Sequence, residues 1–252
     1  MSPPRHLAVW LLAGLALAGC ERVEEDLDRP ASSREFPRAH RPVADVTGNS
    51  AGTEIRRDEL GEAQLVMDLA DIGDGTTVAD IGAGEGYYTV RLAERVGGRG
   101  RVLAQDIDRD VLRRLGTRVE RERLDNVSLT LGRGDDPRLP KDSFDRIFMV
   151  HMYHEIREPY AFLWRLRPAL REGGQVIVVD RDRPPQNHGM PPALLFCEMR
   201  SVGYRLVEFI RKPEIRGYYA QFELEGDRPA PSGIEPCTPP KTKLGSVTIE
   251  DN

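Results

Sequence analysis

Two histidines and a tyrosine stand close together in segment 151–155, which reads His-Met-Tyr-His-Glu. An imidazole with its ordinary pKa of about 6.5 can accept a proton at neutral pH. A group of this kind is needed when a hydroxyl or an amine acts as a nucleophile. His154 is therefore the first candidate for a catalytic base, and His151 and Tyr153 are candidates for orienting a substrate. The alternative is that one histidine packs beneath a bound ligand while the other caps the next helix.

Further roles for histidine stay open at the level of the sequence. His151, Met152 and His154 offer metal-binding atoms, but adjacent side chains without a fourth ligand make a poor set, and no metal site is predicted. His188 follows in a proline-rich segment at 183–192. It either reaches over the same site as part of a lid or stands exposed in a loop.

A glycine-rich loop precedes this segment in the chain. Residues 80–86 read Asp-Ile-Gly-Ala-Gly-Glu-Gly and directly follow an apolar run. Glycine is needed where the backbone turns sharply and where a ligand approaches it without a Cβ atom in the way. In open α/β sheets, ligands bind at the carboxyl ends of the strands, where this loop lies. The pattern predicts a site for a nucleotide-like ligand.

Acidic residues follow the next two apolar runs. Asp106 lies twenty residues past Gly86 at the end of such a run, where a carboxylate can accept hydrogen bonds from both hydroxyls of a ribose. Asp108 is more typical of a helix cap. After the third run comes Gly134-Asp135-Asp136, in which Asp135 is predicted to accept a hydrogen bond from an adenine amino group.

Seven apolar, β-rich runs position these residues and alternate with segments of helical spacing. The runs cover residues 78–81, 101–107, 127–131, 146–151, 175–180, 204–210 and 218–224. Near-continuous apolar strands separated by amphipathic helices indicate a parallel sheet that is covered on both faces. A leading helix is predicted at about 57–70 and another near 193–202. The short turn at 212–217 cannot make a parallel crossover, so the last two strands must be antiparallel.

This combination of motifs resembles the class I S-adenosylmethionine-dependent methyltransferases. The shared features are DxGxGxG at 80–86, the acidic end of the second strand, the Gly-Asp pair after the third, Ser-Phe-Asp before the fourth and LRPALREGGQVIVVD at 166–180. Glu172 replaces the proline that the family usually has before its glycine pair, which affects only a turn. The resemblance covers about 54–225 and implies a doubly wound, seven-stranded, mostly parallel α/β sheet, Rossmann-like, with an antiparallel last strand.

The resemblance also implies an activity and a set of binding residues. The expected reaction is transfer of a methyl group from S-adenosylmethionine to a small or medium-sized acceptor that the sequence does not identify. Asp106 is expected to hold the ribose of the cofactor and Asp135 to face the adenine. The residues expected at the methionine end are Asp80, Gly82, Gly84 and Gly86, and Ala83 and Ile107 complete the predicted binding set.

Two other functions are compatible with the same fold. One is an exported ligand-binding module without turnover, because S-adenosylmethionine is made in the cytoplasm whereas the amino terminus indicates export. The other is an NAD(P)-dependent oxidoreductase. Its loop normally reads GxGxxG, whereas here the third glycine, Gly86, comes one position earlier. The oxidoreductase is therefore the less favoured of the two.

The amino terminus has the pattern of a secretory signal. Arg5 and His6 precede an apolar run at 7–19 that stops at Cys20. Thirteen residues make a helix of only about 20 Å, which is shorter than the roughly 30 Å hydrocarbon core of a bilayer. The pattern predicts a signal peptide, and Leu-Ala-Gly-Cys at 17–20 resembles the lipobox, in which the cysteine is lipid-modified. The prediction is a membrane-anchored lipoprotein on the periplasmic side, and the alternative is a cleaved signal with a chance cysteine.

Composition divides the rest of the chain. The 252 residues are 39% hydrophobic with a net charge of −5, which suffices for a core and lacks the basic excess typical of nucleic-acid-binding proteins. After the signal peptide at 1–20, charge and proline content predict a flexible tether at 21–53 and a disordered, proline-rich tail at 226–252. Between them lies one domain at 54–225, expected to be a monomer.

Two cysteines remain if Cys20 carries lipid. In an oxidising periplasm, Cys197 and Cys237 can form a disulfide that fixes the tail to the helix near residue 197. The alternative is a buried Cys197 and a free thiol at Cys237. The sequence leaves both possibilities open.

Overall fold

The computed structural model describes residues 26–45, 51–215 and 217–238, and in them a seven-stranded sheet. The strands are β1 (Thr77–Ile81), β2 (Arg101–Asp106), β3 (Val127–Leu131), β4 (Phe144–Val150), β5 (Leu170–Asp180), β6 (Tyr204–Lys212) and β7 (Gly217–Leu224). Their order is β3-β2-β1-β4-β5-β7-β6. Strands β1 to β5 pair in parallel, whereas β7 is antiparallel to both β5 and β6. The predicted sheet, with its antiparallel hairpin, is confirmed.

Six α-helices of the described chain cover the sheet. They are α1 (Ala51–Glu59), α2 (Glu62–Leu69), α3 (Tyr87–Val96), α4 (Arg109–Glu122), α5 (Pro159–Leu166) and α6 (Pro192–Ser201). Side chains of β4 alternate between two cores: Ile147 and Met149 pack with α5 and α6, whereas Phe148 packs with α2 and α3. Burial on both faces explains why central strands such as β1 and β4 are largely apolar. No helix among the described residues has the length and apolar content needed to cross a bilayer.

The leading helix differs from its prediction. The periodic segment at about 57–70 is divided between α1 and α2 by Gly61, whose φ is +63°. This left-handed conformation costs glycine little and interrupts a helix. The N–H of Gly61 donates to the carbonyl of Asp58 at 2.9 Å and so closes α1. The apolar spacing that predicted one long helix belongs to α2 alone.

Residues 26–45 pack against the domain, so the prediction of a free tether is wrong for this part of 21–53. Arg29 donates to both carboxylate oxygens of Glu158, at 2.8 and 2.7 Å. Phe36 is buried, with its ring edge-on to Trp164 at a centroid distance of 5.5 Å. A high charge content usually indicates disorder, but composition does not show which charges have buried partners. Cys20 and the predicted signal peptide lie outside the described residues.

A buried ion pair holds the end of this segment and provides a stability test. Arg41 Nε donates to Glu198 Oε1 at 2.8 Å, both side chains are almost fully inaccessible, and Tyr153 donates to Glu198 Oε2 at 2.8 Å. Losing one partner leaves the other charge buried and uncompensated, which costs about 3–5 kcal/mol. Arg41→Ala is expected to lower the free energy of unfolding by about that amount in urea denaturation.

The matched control is an ion pair on the surface. Arg113→Ala breaks an exposed pair with Asp110, and it should cost less than about 1 kcal/mol. Equal losses in the Arg41 and Arg113 variants would show that residues 26–45 do not depend on the buried pair.

The first part of the predicted tail is also fixed to the domain. A disulfide joins Cys197 of α6 to Cys237, so pairing is confirmed over the alternative of free thiols. The N–H of Cys237 donates to Tyr160 Oη at 2.6 Å, and Trp164 Nε1 donates to the carbonyl of Pro229 at 2.8 Å. For residues 226–238 the prediction of disorder is therefore wrong, and the domain extends past residue 225.

Candidate active site

A cavity of about 1020 Å³ opens at the carboxyl ends of β1, β2 and β4. Its wall combines the glycine loop after β1, the end of β2, the segment after β4 and parts of residues 28–43. Ligand pockets in proteins typically measure about 300–1,000 Å³. The cavity therefore has room for a cofactor-sized molecule together with a second, smaller one.

The glycine loop presents bare backbone to this cavity. Gly82 and Gly84 line it and have φ values of +66° and +56°, in the left-handed region that favours glycine. A Cβ atom on Gly82 would lie 3.0 Å from Cγ of Met152, another residue of the wall. Only glycine therefore keeps this part of the cavity open.

Asp106 is held beside the loop by two backbone hydrogen bonds. The N–H of Gly84 donates to Oδ2 and the N–H of Asp108 donates to Oδ1, each at 3.0 Å. The carboxylate lines the cavity, and its oxygens retain further lone pairs. Asp106 can thus accept hydrogen bonds from two ligand hydroxyls. Asp108 caps α4, as its position predicts.

Three residues predicted to contact the ligand instead support the loop from behind. Asp80 is buried and accepts a hydrogen bond from Thr89 Oγ1 at 2.6 Å, and burial raises its pKa to about 6. Gly86 has a φ of +89°, in the left-handed region that favours glycine, and a Cβ atom there would lie 2.4 Å from Leu115 Cδ1 of α4. Ala83 belongs to the same apolar cluster. Four residues of the predicted cofactor-binding set do line the cavity: Gly82, Gly84, Asp106 and Ile107.

Asp135 differs more strongly from its prediction. Its Oδ2 accepts hydrogen bonds from Ser32 Oγ, Ser33 Oγ and Arg165 Nη1. Burial alone would raise the pKa of this carboxyl, but these donors hold it below its usual value. Asp135 fixes the N-terminal segment and is absent from the cavity wall, whereas its neighbour Gly134 lines it. The sequence could not indicate this because residues 26–45 had been interpreted as a tether.

His154 lies in the cavity wall and is oriented by Asp180, the last residue of β5. Its Nδ1 is 2.9 Å from Asp180 Oδ2 and 3.1 Å from Oδ1. Asp180 is fully buried, and its Oδ1 also accepts the N–H of Arg181 at 2.8 Å. A carboxylate at Nδ1 favours the tautomer with a proton on that atom, so Nε2 carries the free lone pair.

His151 lies in the same wall and faces a different acid. Its Nε2 is 3.5 Å from Glu62 Oε1, and Arg57 Nη2 donates to the same oxygen at 2.6 Å. Burial would raise the pKa of Glu62, but His151 and Arg57 lower it to about 2. Glu62 and Arg57 have no distinctive signal in the sequence, because charges at the ends of helices are commonplace.

Tyr153 has a structural position. It is fully buried, donates to Glu198 and does not line the cavity. Burial raises the pKa of its hydroxyl well above the ordinary value. The prediction of Tyr153 as a substrate-orienting residue is therefore not supported by its position.

Two further residues complete the site. Gln105 Oε1 accepts the N–H of Gly82 at 3.4 Å, while its Nε2 is buried with no hydrogen-bond partner. His188 lines the cavity, with its ring edge-on to that of His154 at a centroid distance of 5.7 Å. The structure thus places His188 beside the site, whereas its predicted role as part of a lid stays a prediction. Polar residues at strand ends were the signal that could have found Gln105 and Asp180.

The chain matches one family over its central part. The model of the methyltransferase domain matches residues 78–174, which hold the glycine loop, Asp106 and both histidines of segment 151–155. This central part of the chain is thus similar to methyltransferase domains, and the class I fold expected for such domains is the one described above.

Curated relatives of the chain are methyltransferases whose names give different acceptors. A protein-L-isoaspartate O-methyltransferase of Methanothrix thermoacetophila is 29% identical over 167 residues, which are 63% of this chain and 73% of the relative. A ubiquinone/menaquinone biosynthesis C-methyltransferase of Methylococcus capsulatus is 32% identical over 118 residues, 46% of this chain and 48% of the relative. The chain thus spans only about half the length of the second relative.

A solved structure shares the fold of this chain's domain. It is a SAM-dependent methyltransferase of Aquifex aeolicus, with a TM-score of 0.60 and 24% sequence identity. The match covers 66% of this chain and 90% of that structure. At this level of identity the likeness concerns the fold.

Proposed function

We propose that the domain transfers a methyl group from S-adenosylmethionine to a small or medium-sized acceptor. One observation carries the proposal: the bare backbone of Gly82 and Gly84, the Asp106 carboxylate and the His154 imidazole line a single cavity. A cofactor site and a proton-accepting group are thereby within one enclosed space. The matched family and the names of the relatives point to the same activity.

The residues of the cavity fit S-adenosylmethionine. When bound, this cofactor supplies a methyl group activated by a positively charged sulfur atom. Gly82 and Gly84 admit it close to the backbone, Asp106 accepts hydrogen bonds from its ribose, and Ile107 offers an apolar surface beside that carboxylate. The unpartnered Nε2 of Gln105 supplies a donor for a ligand acceptor atom. Such an orphan donor is costly when it is buried without a partner.

The side chains around His154 prepare the acceptor. Alignment of two reactants can contribute about 7–11 kcal/mol to catalysis, so holding the acceptor in place is the main task of the protein. His154 presents Nε2 to the cavity while Asp180 fixes the ring through Nδ1. We expect Nε2 of His154 to take the acceptor's proton as the methyl group is transferred.

The test combines binding and turnover. S-adenosylmethionine is titrated into the full chain, and release of S-adenosylhomocysteine is then followed with a panel of acceptors. The names of the relatives supply two members, an isoaspartyl peptide and a demethylated quinone, and simple hydroxyl, amine and carboxylate compounds complete the panel. Product release with any of them supports the proposal. Tight cofactor binding without turnover on any acceptor would favour the exported binding module instead.

We further propose that the protein is an exported lipoprotein anchored through Cys20. Disulfides persist in oxidising compartments such as the periplasm, and the Cys197–Cys237 bond supports export. Non-reducing peptide mapping of protein from its native membrane fraction is expected to give a linked Cys197–Cys237 peptide and an acylated N-terminal Cys20.

The control variant is Cys20→Ser. It should no longer be found in the membrane fraction, and it should still contain the Cys197–Cys237 disulfide. An intact, unmodified N-terminus together with free thiols at both other cysteines would contradict the proposed location.

A further inference from the structure

We propose that His154, Glu155 and His188 form a binding site for one divalent transition-metal ion, for which Zn²⁺ is the natural probe. One ligand atom from each of the three side chains lies within 4.8 Å of the other two. The three residues also line the cavity described above. This ligand set differs from the one considered in the sequence, because His151 is directed at Glu62 and the third ligand comes from a distant loop.

The separations are suited to a metal ion after a small closure. His154 Nε2 lies 4.0 Å from Glu155 Oε1. Ligand atoms in a tetrahedral zinc site with bonds of about 2.0–2.1 Å stand about 3.3 Å apart. Side-chain rotations that bring the three ligand atoms about 1 Å closer to one another would produce that geometry around an ion.

Asp180 gives His154 the support that metal-binding histidines have. Such histidines almost always donate their second ring N–H to a carboxylate or carbonyl, which fixes the tautomer and strengthens the ligand. Here Nδ1 of His154 lies 2.9 Å from Asp180 Oδ2, so Nε2 is the atom left for an ion.

His188 lies in a loop that hydrogen bonds hold beside the site. The carbonyl of Arg181 accepts the N–H groups of Arg183 and Met190, at 2.9 and 2.8 Å, and Tyr218 Oη donates to the carbonyl of Met190 at 2.8 Å. His188 itself has a φ of +54°, a conformation uncommon for residues other than glycine. Its Nδ1 is buried with no hydrogen-bond partner. A strained histidine with an orphaned nitrogen indicates a ligand that the protein alone does not supply.

The ligand types indicate the class of ion. Two imidazoles and one carboxylate form a set that binds zinc in catalytic sites and Fe²⁺ in other enzymes. Three protein ligands leave coordination positions open, and these face the cavity. If the proposed function holds, an oxygen atom of the acceptor can occupy such a position, and His154 is then a ligand rather than the proton acceptor. The ion itself would bind whether or not the domain transfers methyl groups.

Metal binding is therefore measured directly. The full chain is stripped with a chelator, dialysed against Zn²⁺, and its metal content is determined by elemental mass spectrometry. One zinc ion per chain and an increase in melting temperature on zinc addition are expected. Co²⁺ in place of Zn²⁺ should give the visible absorption of a low-coordinate site with nitrogen and oxygen ligands.

Variants separate this site from adventitious binding. His188→Ala and Glu155→Gln should lose stoichiometric zinc, and Asp180→Asn should weaken zinc binding about 10–100-fold. His40→Ala changes an exposed histidine of the N-terminal segment and should bind like the wild type. Melting curves of the zinc-free variants establish that each is folded, and His188 lies in a loop where truncation spares the core.

The proposal is overturned if the wild type binds less than one zinc ion per chain, or if His188→Ala and Glu155→Gln retain wild-type affinity. Neither result depends on methyl transfer. Failure of the metal site would therefore leave the proposed enzymatic function standing, and failure of the function would leave the metal site standing.

Discussion

Asp106→Ala is expected to weaken binding of S-adenosylmethionine by about 10²–10⁴-fold. A hydrogen bond to a charged group contributes about 1.5–3 kcal/mol, and the ribose would lose two of them. The loss should be seen in calorimetric titration with either S-adenosylmethionine or S-adenosylhomocysteine. Because Asp106 also accepts the N–H of Gly84, part of the effect arises from a loosened loop.

The control for this variant is another aspartate nearby. Asp110 lies in the first turn of α4 and pairs with Arg113 on the surface, so Asp110→Ala removes the same charge without touching the cavity wall. It should bind the cofactor like the wild type. Unchanged affinity in Asp106→Ala, or an equal loss in both variants, would remove Asp106 from the ribose site.

His154→Ala is expected to lower turnover by about 10²–10⁴-fold, the usual contribution of a positioned proton-transfer group. Cofactor affinity should stay near the wild-type value, because His154 is on the acceptor side of the cavity. Release of S-adenosylhomocysteine, measured with the acceptor found in the panel, gives the rate. The rate is measured in the metal-free protein, where Nε2 is the proposed proton acceptor, and again with zinc, where the same atom is the proposed metal ligand.

Two further variants serve as comparisons for the turnover of His154→Ala. Asp180→Asn keeps the size of the side chain but removes the charge that orients the His154 ring, so it should lower turnover in the same direction. His40→Ala should have the wild-type rate. A wild-type rate in His154→Ala would show that this histidine has no part in the reaction.

The sheet could be predicted because burial on two faces makes its central strands largely apolar. The run at 78–81 lies within the observed strand β1, where all four of these residues are buried, and the short turn at 212–217 required the antiparallel hairpin. The break at Gly61 was missed because the apolar spacing that indicates the helix lies entirely after this residue and does not show where the helix begins. The spacing of apolar residues therefore predicts which helices and strands are present better than it predicts where each one begins and ends.

Contacts between residues that are far apart in the chain could not be predicted from the sequence. Arg29 and Glu158 are 129 positions apart, and nothing in the composition of residues 26–45 shows that they have partners. The same limit explains Asp135, whose carboxylate is occupied by Ser32 and Ser33. A charged segment was interpreted as solvated because its partners could not be identified.

The candidate site was predictable where a motif corresponds directly to geometry. Alternating glycines after a strand placed Gly82 and Gly84 in the cavity wall, but the same pattern could not show that Gly86 lies outside the wall and faces Leu115 of α4. The His154–Asp180 pair and the approach of His188 depend on β4 and β5 lying side by side. That adjacency is a property of the fold and has no local signature.

A crystal structure of the protein with S-adenosylhomocysteine tests the central claim most directly. The account predicts the ligand against the backbone of Gly82 and Gly84, with both ribose hydroxyls within hydrogen-bonding distance of the Asp106 carboxylate and the sulfur atom facing the side of the cavity that holds His154. A ligand bound elsewhere, or a ribose turned away from Asp106, would contradict it.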